Sequence, residues 1–236
     1  MTVWGVLREA GHLYRLTFWR SLLIATPIFL VFDLPSAALD VLPDTGLTIT
    51  LASIALALLT TYGDLLVEGA LAFDVLHLHE GRPEPRIRDV VRRIRPFVVT
   101  IAVGAFVYAF FTSIGFLLLL VPGLLLMTRW CLIVPVIVIE KRGVAQAFRR
   151  SNRLVKGHSW RVFAVVGIML VASSILEAFF DNLLAFLPEF IAHWLGTWPV
   201  SVLTAPYVAH ALAVLYYRLA DPERPVVADR EAGPGD

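Results

Sequence analysis

The basic residues of this 236-residue chain gather in four clusters, and the long apolar runs between them hold almost none. Arg8, Arg15 and Arg20 form the first cluster, and Arg82, Arg86, Arg88, Arg92, Arg93 and Arg95 the second. Lys141, Arg142, Arg149, Arg150, Arg153, Lys156 and Arg161 form the third, and Arg218, Arg224 and Arg230 the last. Only Arg129 stands apart. The connecting segments 33–46 and 180–200 contain no Lys or Arg, yet they carry Asp33, Asp40, Asp44, Asp181 and Glu189. A chain that crosses a bilayer repeatedly leaves its Lys and Arg in the cytoplasmic loops, so clustering of this kind records how the chain is threaded.

Composition points the same way. The chain is 58% hydrophobic and 17% charged with a mean hydropathy of +0.76, whereas soluble domains are about half apolar and about a quarter charged. The net charge of +1 conceals the asymmetry. The basic face is expected to draw anionic lipid headgroups, at about 1 kcal/mol for each basic side chain near the surface. Positive-inside loops account for the arginines without a nucleic-acid partner. The single cysteine, Cys131, excludes a disulfide within one chain and sits in an apolar run, which fits packing better than nucleophilic chemistry. The first 38 residues have the outline of a signal peptide, with Arg8–Arg20, then an apolar stretch, then Ser36-Ala37-Ala38. The charged portion is long and the rest of the chain is itself membrane-embedded, so an uncleaved first span is expected.

The expected fold is all-α: a polytopic membrane protein of six transmembrane helices with Arg-rich amphipathic interfacial helices. The spans fall at about 16–34, 47–71 (continuing as helix to His79), 96–121, 124–139, 160–180 and 201–217, and most approach the ~20 residues needed to cross ~30 Å of hydrocarbon. Pro122-Gly123 predicts a tight turn between the third and fourth spans. With six spans and both termini inside, every basic cluster is cytoplasmic and both acidic loops are outside; an odd number of spans puts a cluster on the wrong side. The basic segments also have helical periodicity. Ile87, Val90, Val91 and Ile94 recur at i, i+3, i+4, i+7, off the face that carries Arg86, Arg92, Arg93 and Arg95. Val144, Ala147, Phe148, Ser151, Leu154 and Val155 do the same opposite Gln146, Arg149, Arg150 and Arg153, and Trp4, Leu7, Gly11 and Tyr14 make a weaker stripe. Such helices lie in the headgroup plane, apolar face down. Residues 1–220 then form one domain of three helix-plus-hairpin units, 2–79, 82–140 and 141–220, and the polar tail 221–236 is expected to be disordered.

Several polar residues sit in apolar surroundings. A charge within a span costs about 2.5–3.5 kcal/mol on insertion scales and usually faces a partner or a watery cavity. Arg129 is the sharpest case. Glu177 is its expected partner, and an interhelical ion pair or outward snorkelling competes with contact to a ligand or lipid phosphate. Asp64 and Glu68, at i, i+4, share a face of the second span and Asp74 follows. They can carry a proton or cation within the membrane; the plainer expectation is an interfacial segment paired with the Arg82–Arg95 cluster. His77 and His79, two apart on a helix, point away from each other and hold no metal together. Ser113 and His210 form a hydrolase-like pair only if they meet in space, and no strained glycine turn surrounds Ser113.

Residues 121–163 carry a denser pattern: Pro-Gly at 122–123 with Arg129, Pro135 with Glu140, then Ala147, Arg150, Ser151, Leu154, Gly157, Trp160 and Arg161. This segment resembles the membrane domain attached to some bacterial glycerophosphoryl diester phosphodiesterases, and related stand-alone integral membrane proteins. The end of the last span, 205–217, is similar to that group as well. The match is good over about forty residues and loose elsewhere. The resemblance implies six helices in a bacterial inner membrane. It does not imply phosphodiesterase activity, which belongs to a separate soluble barrel for which 236 residues with six spans leave no room. Gly157 is suited to ending the interfacial helix before the fifth span.

The expectation for function is a non-enzymatic membrane protein without a cofactor or metal. It binds anionic lipid headgroups, or a membrane-protein partner, through its cytoplasmic Arg-rich helices, with Arg149, Arg150, Arg153 and Arg161 as phosphate contacts. The alternative is a small transporter or channel subunit using Asp64, Glu68 and Arg129. A continuous polar cavity reaching those residues distinguishes the two.

Overall fold

A computed structural model describes residues 2–40, 46–80, 82, 85–187 and 189–221 of the chain. The tail 222–236 and the acidic segment 41–45 lie outside the described residues. The described chain is helical throughout, with no strands. Its elements run α1 (Val3–Leu16), α2 (Phe18–Asp40), α3 (Leu47–His79), α4 (Ile87–Ile94), a short 3-10 turn, α5 (Val98–Leu118), α6 (Leu120–Trp130), α7 (Ile133–Ile139), α8 (Val144–Val155), α9 (Ser159–Leu184) and α10 (Glu189–Ala220). Five segments are long and apolar enough to cross a membrane: α3, α4–α5, α6–α7, α9 and α10. α1 and residues 18–32 of α2 meet that test only together, as a pair bent by 85°, so the described residues supply five spans, or six with the bent pair counted as one. In order, a shorter helix precedes two longer helical segments three times: α1 before α2 and α3, α4 before α5 and α6–α7, α8 before α9 and α10.

The core is concentrated at the end of the bundle that carries the arginines. Residues 67–75 of α3, 132–138 in and before α7, and 209–217 of α10 are buried on every side, as expected of segments that are apolar all round and wrapped by neighbours. Toward the opposite end the packing gives out, and Leu47, Leu51, Ile54 and Leu59 of α3 are exposed, as lipid-facing side chains are. α10 is the central element, packed against α1, α2, α3 and α9. The short helices bury their stripes against this bundle. α8 buries Ala147, Ser151, Leu154 and Val155, and α4 buries Val90 and Ile94 while Ile87 and Val91 stay exposed. On α1 the buried stripe is Val6, Leu7, Ala10 and Leu13, rotated from the expected one; Trp4 is exposed. The reason is α10, which clasps α1 reciprocally. The Tyr14 hydroxyl donates to the Leu203 carbonyl, and the Tyr207 hydroxyl to the Leu7 carbonyl. Arg218 of α10 donates through Nε and a terminal nitrogen to Glu9.

Three boundaries differ from the sequence expectation. The turn between α5 and α6 falls at Leu119, which is extended (φ −165°), and Pro122-Gly123 lie inside the first turns of α6. Proline is tolerated there because its missing N–H is one of the helix's unpaired donors in any case. Gly123 serves close packing instead, since a Cβ on it would come within 2.6 Å of the Phe116 ring. α2 continues to Asp40, and α10 begins at Glu189 and accommodates Pro199 and Pro206. Both helices therefore run into segments expected as loops. At the end of α8 the chain turns on Gly157, whose φ of +92° is a left-handed value that favours glycine.

Candidate functional site

The fourth span is broken, and the motif residues of the sequence explain how the break is held. Pro135 has no N–H for the Cys131 carbonyl and its ring crowds that turn, so the helix stops at Trp130 and restarts at Ile133. Ser151 of α8, fully buried, repairs the gap. Its hydroxyl donates to the Arg129 carbonyl at 2.8 Å and accepts from the Leu132 amide at 3.3 Å. At the end of α7, Glu140 gathers α8 and α10. Its carboxylate accepts from Arg150 at 2.8 Å, from the Tyr216 hydroxyl at 2.9 Å, and from Arg142. Burial pushes the Glu140 carboxyl up, but the hydrogen bonds from Arg150, Tyr216 and Arg142 outweigh it and hold the group below its ordinary value.

Beside the break lies a chamber of about 340 Å³. α3 presents Thr61, Asp64, Leu65 and Glu68 to it, and α9 presents Val166, Met169, Leu170, Ser173 and Glu177. α10 adds Ser201, Thr204, Ala205 and Val208. Each set follows the i, i+3, i+4, i+7 spacing of one helix face. Tyr108, Met127, Trp130 and Cys131 close the wall at the break. Asp64 is exposed and Glu68 is 7% exposed. The Glu68 Oε1 atom is buried without a hydrogen-bond partner, and among the described residues Glu68 makes no ion pair. By helix rise, Glu68 lies about 17 Å from His79, the last residue of α3.

The structure sorts the remaining candidates. Arg129 is exposed, does not line the chamber and forms no ion pair with Glu177. Met127 and Trp130 occupy the chamber face of α6, and Arg129 is about 100° round the helix from Trp130. Glu177 belongs to the chamber instead. Asp74 is held by Arg20 of α2, Nε to Oδ2 at 2.7 Å and a terminal nitrogen to Oδ1 at 3.0 Å, rather than resting on the Arg82–Arg95 cluster alone. Arg150 is turned inward to Glu140, so it leaves the expected phosphate set. Arg149 and Arg153 stand on the outer face of α8 around a concavity shared with Arg142, Gln146 and Asn152. Arg161 is exposed at the start of α9, next to Trp160, which is 79% exposed. Ser113 and His210 do not pair: Ser113 is exposed on α5, while the buried His210 meets the Pro206 carbonyl through Nδ1 and the Thr17 hydroxyl through Nε2. His77 and His79 belong to no metal-binding cluster among the described residues.

Sequence reasoning missed Tyr108, Ser173, Ser201 and Thr204 in the chamber and Tyr216 at Glu140. Ser173 and Glu177, one turn apart in an apolar run, were a readable signal. Tyr108 and Tyr216 carry no such signal, because a tyrosine in a span is an ordinary packing residue. The fold defines the class: an all-α, multi-pass membrane protein. No protein-family model, curated protein or solved structure matches the chain.

Proposed function

We propose that this protein binds a cation in its intramembrane chamber and belongs functionally with solute carriers rather than enzymes. One observation carries the reading. Glu68 is a buried carboxylate with no donor among the described residues, and it lines a cavity that also holds Asp64 and Glu177. A carboxylate buried in this way is costly unless a proton or a cation neutralises it, and ionisable groups inside spans mark ion and substrate paths. The broken α6–α7 span beside the chamber supports the same reading, because interrupted helices are used where a membrane protein lines a binding cavity. Arg129 has no part in it.

The test uses the full chain in nanodiscs of zwitterionic lipid, with thermal unfolding followed across a panel of inorganic and organic cations. A ligand at about a hundred times its Kd stabilises by about 2.7 kcal/mol. At least one cation is expected to raise Tm in the native protein and not in Glu68→Gln. If every cation acts equally on the two proteins, the reading fails.

A second reading concerns the surface of the membrane. Arg149 and Arg153 with the amides of Gln146 and Asn152 on α8, and Arg142 just before it, line one polar concavity that suits anionic headgroups. On the positive-inside rule this face is cytoplasmic, as are both termini; a bacterial inner membrane is what the resemblance of residues 121–163 implies. Lipid docking through α8 anchors and orients the bundle; it does not compete with the chamber.

A further inference from the structure

The lining of the chamber restricts the kind of cation it accepts. We propose that the ligand is an amphipathic organic amine, its protonated nitrogen held by Glu68 and Asp64 and its apolar body lying against Met127, Trp130 and Met169. This rests on the reading of the chamber as a cation site and narrows it to one chemical class.

Size is the first ground. A chamber of about 340 Å³ is some ten times the ~30 Å³ share of one water in the liquid, and falls in the ~300–1,000 Å³ range of small-molecule pockets. A bare ion leaves most of it unfilled. Ligand geometry is the second. Calcium requires six to eight oxygens at about 2.3–2.6 Å and magnesium a near-octahedral shell. Among the described residues no three His, Cys, Asp or Glu side chains come close enough to hold a metal. The carboxylates are instead strung along two helices, Asp64 and Glu68 on α3 and Glu177 on α9, which suits an extended molecule.

The distribution of polarity is the third. By position along the helices, Thr61, Ser173, Glu177, Ser201 and Thr204 lie toward the end away from the arginines. Trp130, Ile133, Val166 and Leu212 lie toward the arginine end. Glu68 sits where the two zones meet. The wall is mostly apolar but converges on a few charged groups, as a site does when it orients a molecule with one ionic head. Trp130 is fixed in the apolar zone by edge-on contacts with Phe111 and Phe148, at centroid separations of 6.2 and 4.8 Å. A rigid indole and the nearby Tyr108 offer faces to an ammonium group or to an aromatic body. Cys131, the only cysteine in the chain, lines the same wall and reports occupancy.

The experiment is calorimetric titration of the full chain in zwitterionic nanodiscs with 2-phenylethylamine, its uncharged counterpart 2-phenylethanol, and sodium, potassium and magnesium chlorides at neutral pH. Saturable binding of the amine is expected, weakened about tenfold or more in the alcohol and in Glu68→Gln, with Asp64→Asn also weakened. The amine is further expected to slow N-ethylmaleimide labelling of Cys131. Both variants must remain monodisperse and helical; should one fail, the other carries the test. Equal binding of amine and alcohol, or full affinity in the carboxamide variants, overturns the proposal. Glu68-dependent binding of an inorganic cation without the amine overturns the amine class but leaves the cation reading standing. If nothing binds, both fall.

Discussion

Replacing Ser151 with alanine isolates the device that holds the broken fourth span. The hydroxyl is fully buried, and its removal leaves two backbone groups without partners: the Arg129 carbonyl, bonded at 2.8 Å, and the Leu132 amide, bonded at 3.3 Å. An unsatisfied buried polar group costs about 1–3 kcal/mol. The carbonyl bond is short and counts fully, while the amide bond is long and counts little, so the expected loss is about 2–3 kcal/mol. The volume change is one oxygen atom, so packing adds little. Pro135 offers a sharper test. In an unbroken helix, the Leu132 amide bonds to the Thr128 carbonyl and the Ile133 amide to the Arg129 carbonyl. Pro135→Ala permits that helix to close, so Ser151→Ala is expected to cost at least about 1 kcal/mol less in the Pro135→Ala background than alone. The assay is reversible unfolding in mixed micelles by titration with SDS, followed by far-ultraviolet circular dichroism, on the four proteins of the cycle. A Ser151→Ala cost below about 0.5 kcal/mol, or one unaltered by Pro135→Ala, refutes the account of the break.

Two further outcomes follow from the same end of the bundle. Glu140 has its native carboxyl held below the ordinary value, so the native state binds a proton less readily than the unfolded chain. Its stabilisation is therefore fully present above about pH 4.5 and is lost as pH falls through the lower native value. Glu140→Gln is expected to cost about 1–2 kcal/mol near neutral pH, since Arg142 is 38% exposed and contributes little, and to flatten the acid limb of the stability profile; an unchanged acid limb contradicts the clamp. On α8, Arg149→Gln with Arg153→Gln is expected to reduce retention of anionic lipid through purification, measured by mass spectrometry of bound phospholipid. Arg150→Gln is expected instead to lower stability through the loss of its bond to Glu140, with lipid retention unchanged.

The spans and the amphipathic helices were legible because each depends on a local pattern. A run of apolar residues has to be helical in lipid, where no water satisfies the backbone, and the α8 stripe at 144, 147, 148, 151, 154 and 155 can be read from spacing alone. Asp64 and Glu68 were visible for the same reason, as charges interrupting such a run. Arg129 was equally visible, and of the outcomes open to it the structure gives exposure rather than a pair with Glu177. Its spacing shows that it is unusual but not which way α6 is rotated, and that rotation is fixed by the packing of Met127 and Trp130. Arg149, Arg150 and Arg153 look alike in a helical projection, yet Arg150 alone finds Glu140, because the α7–α8 turn brings that carboxylate beneath it.

What the sequence determined by itself is the medium and the run of apolar helices: charge and hydropathy are properties of segments, and the bilayer sorts segments without reference to their neighbours. What the tertiary structure decided is the chamber. It exists because α3 and α9 each pack on α10 and stand on either side of it, and because Pro135 interrupts the span that closes the remaining wall. Whether a buried carboxylate has a donor depends on side chains from other helices, Arg20 for Asp74 and Tyr216 for Glu140, and no periodicity along the chain encodes those pairings.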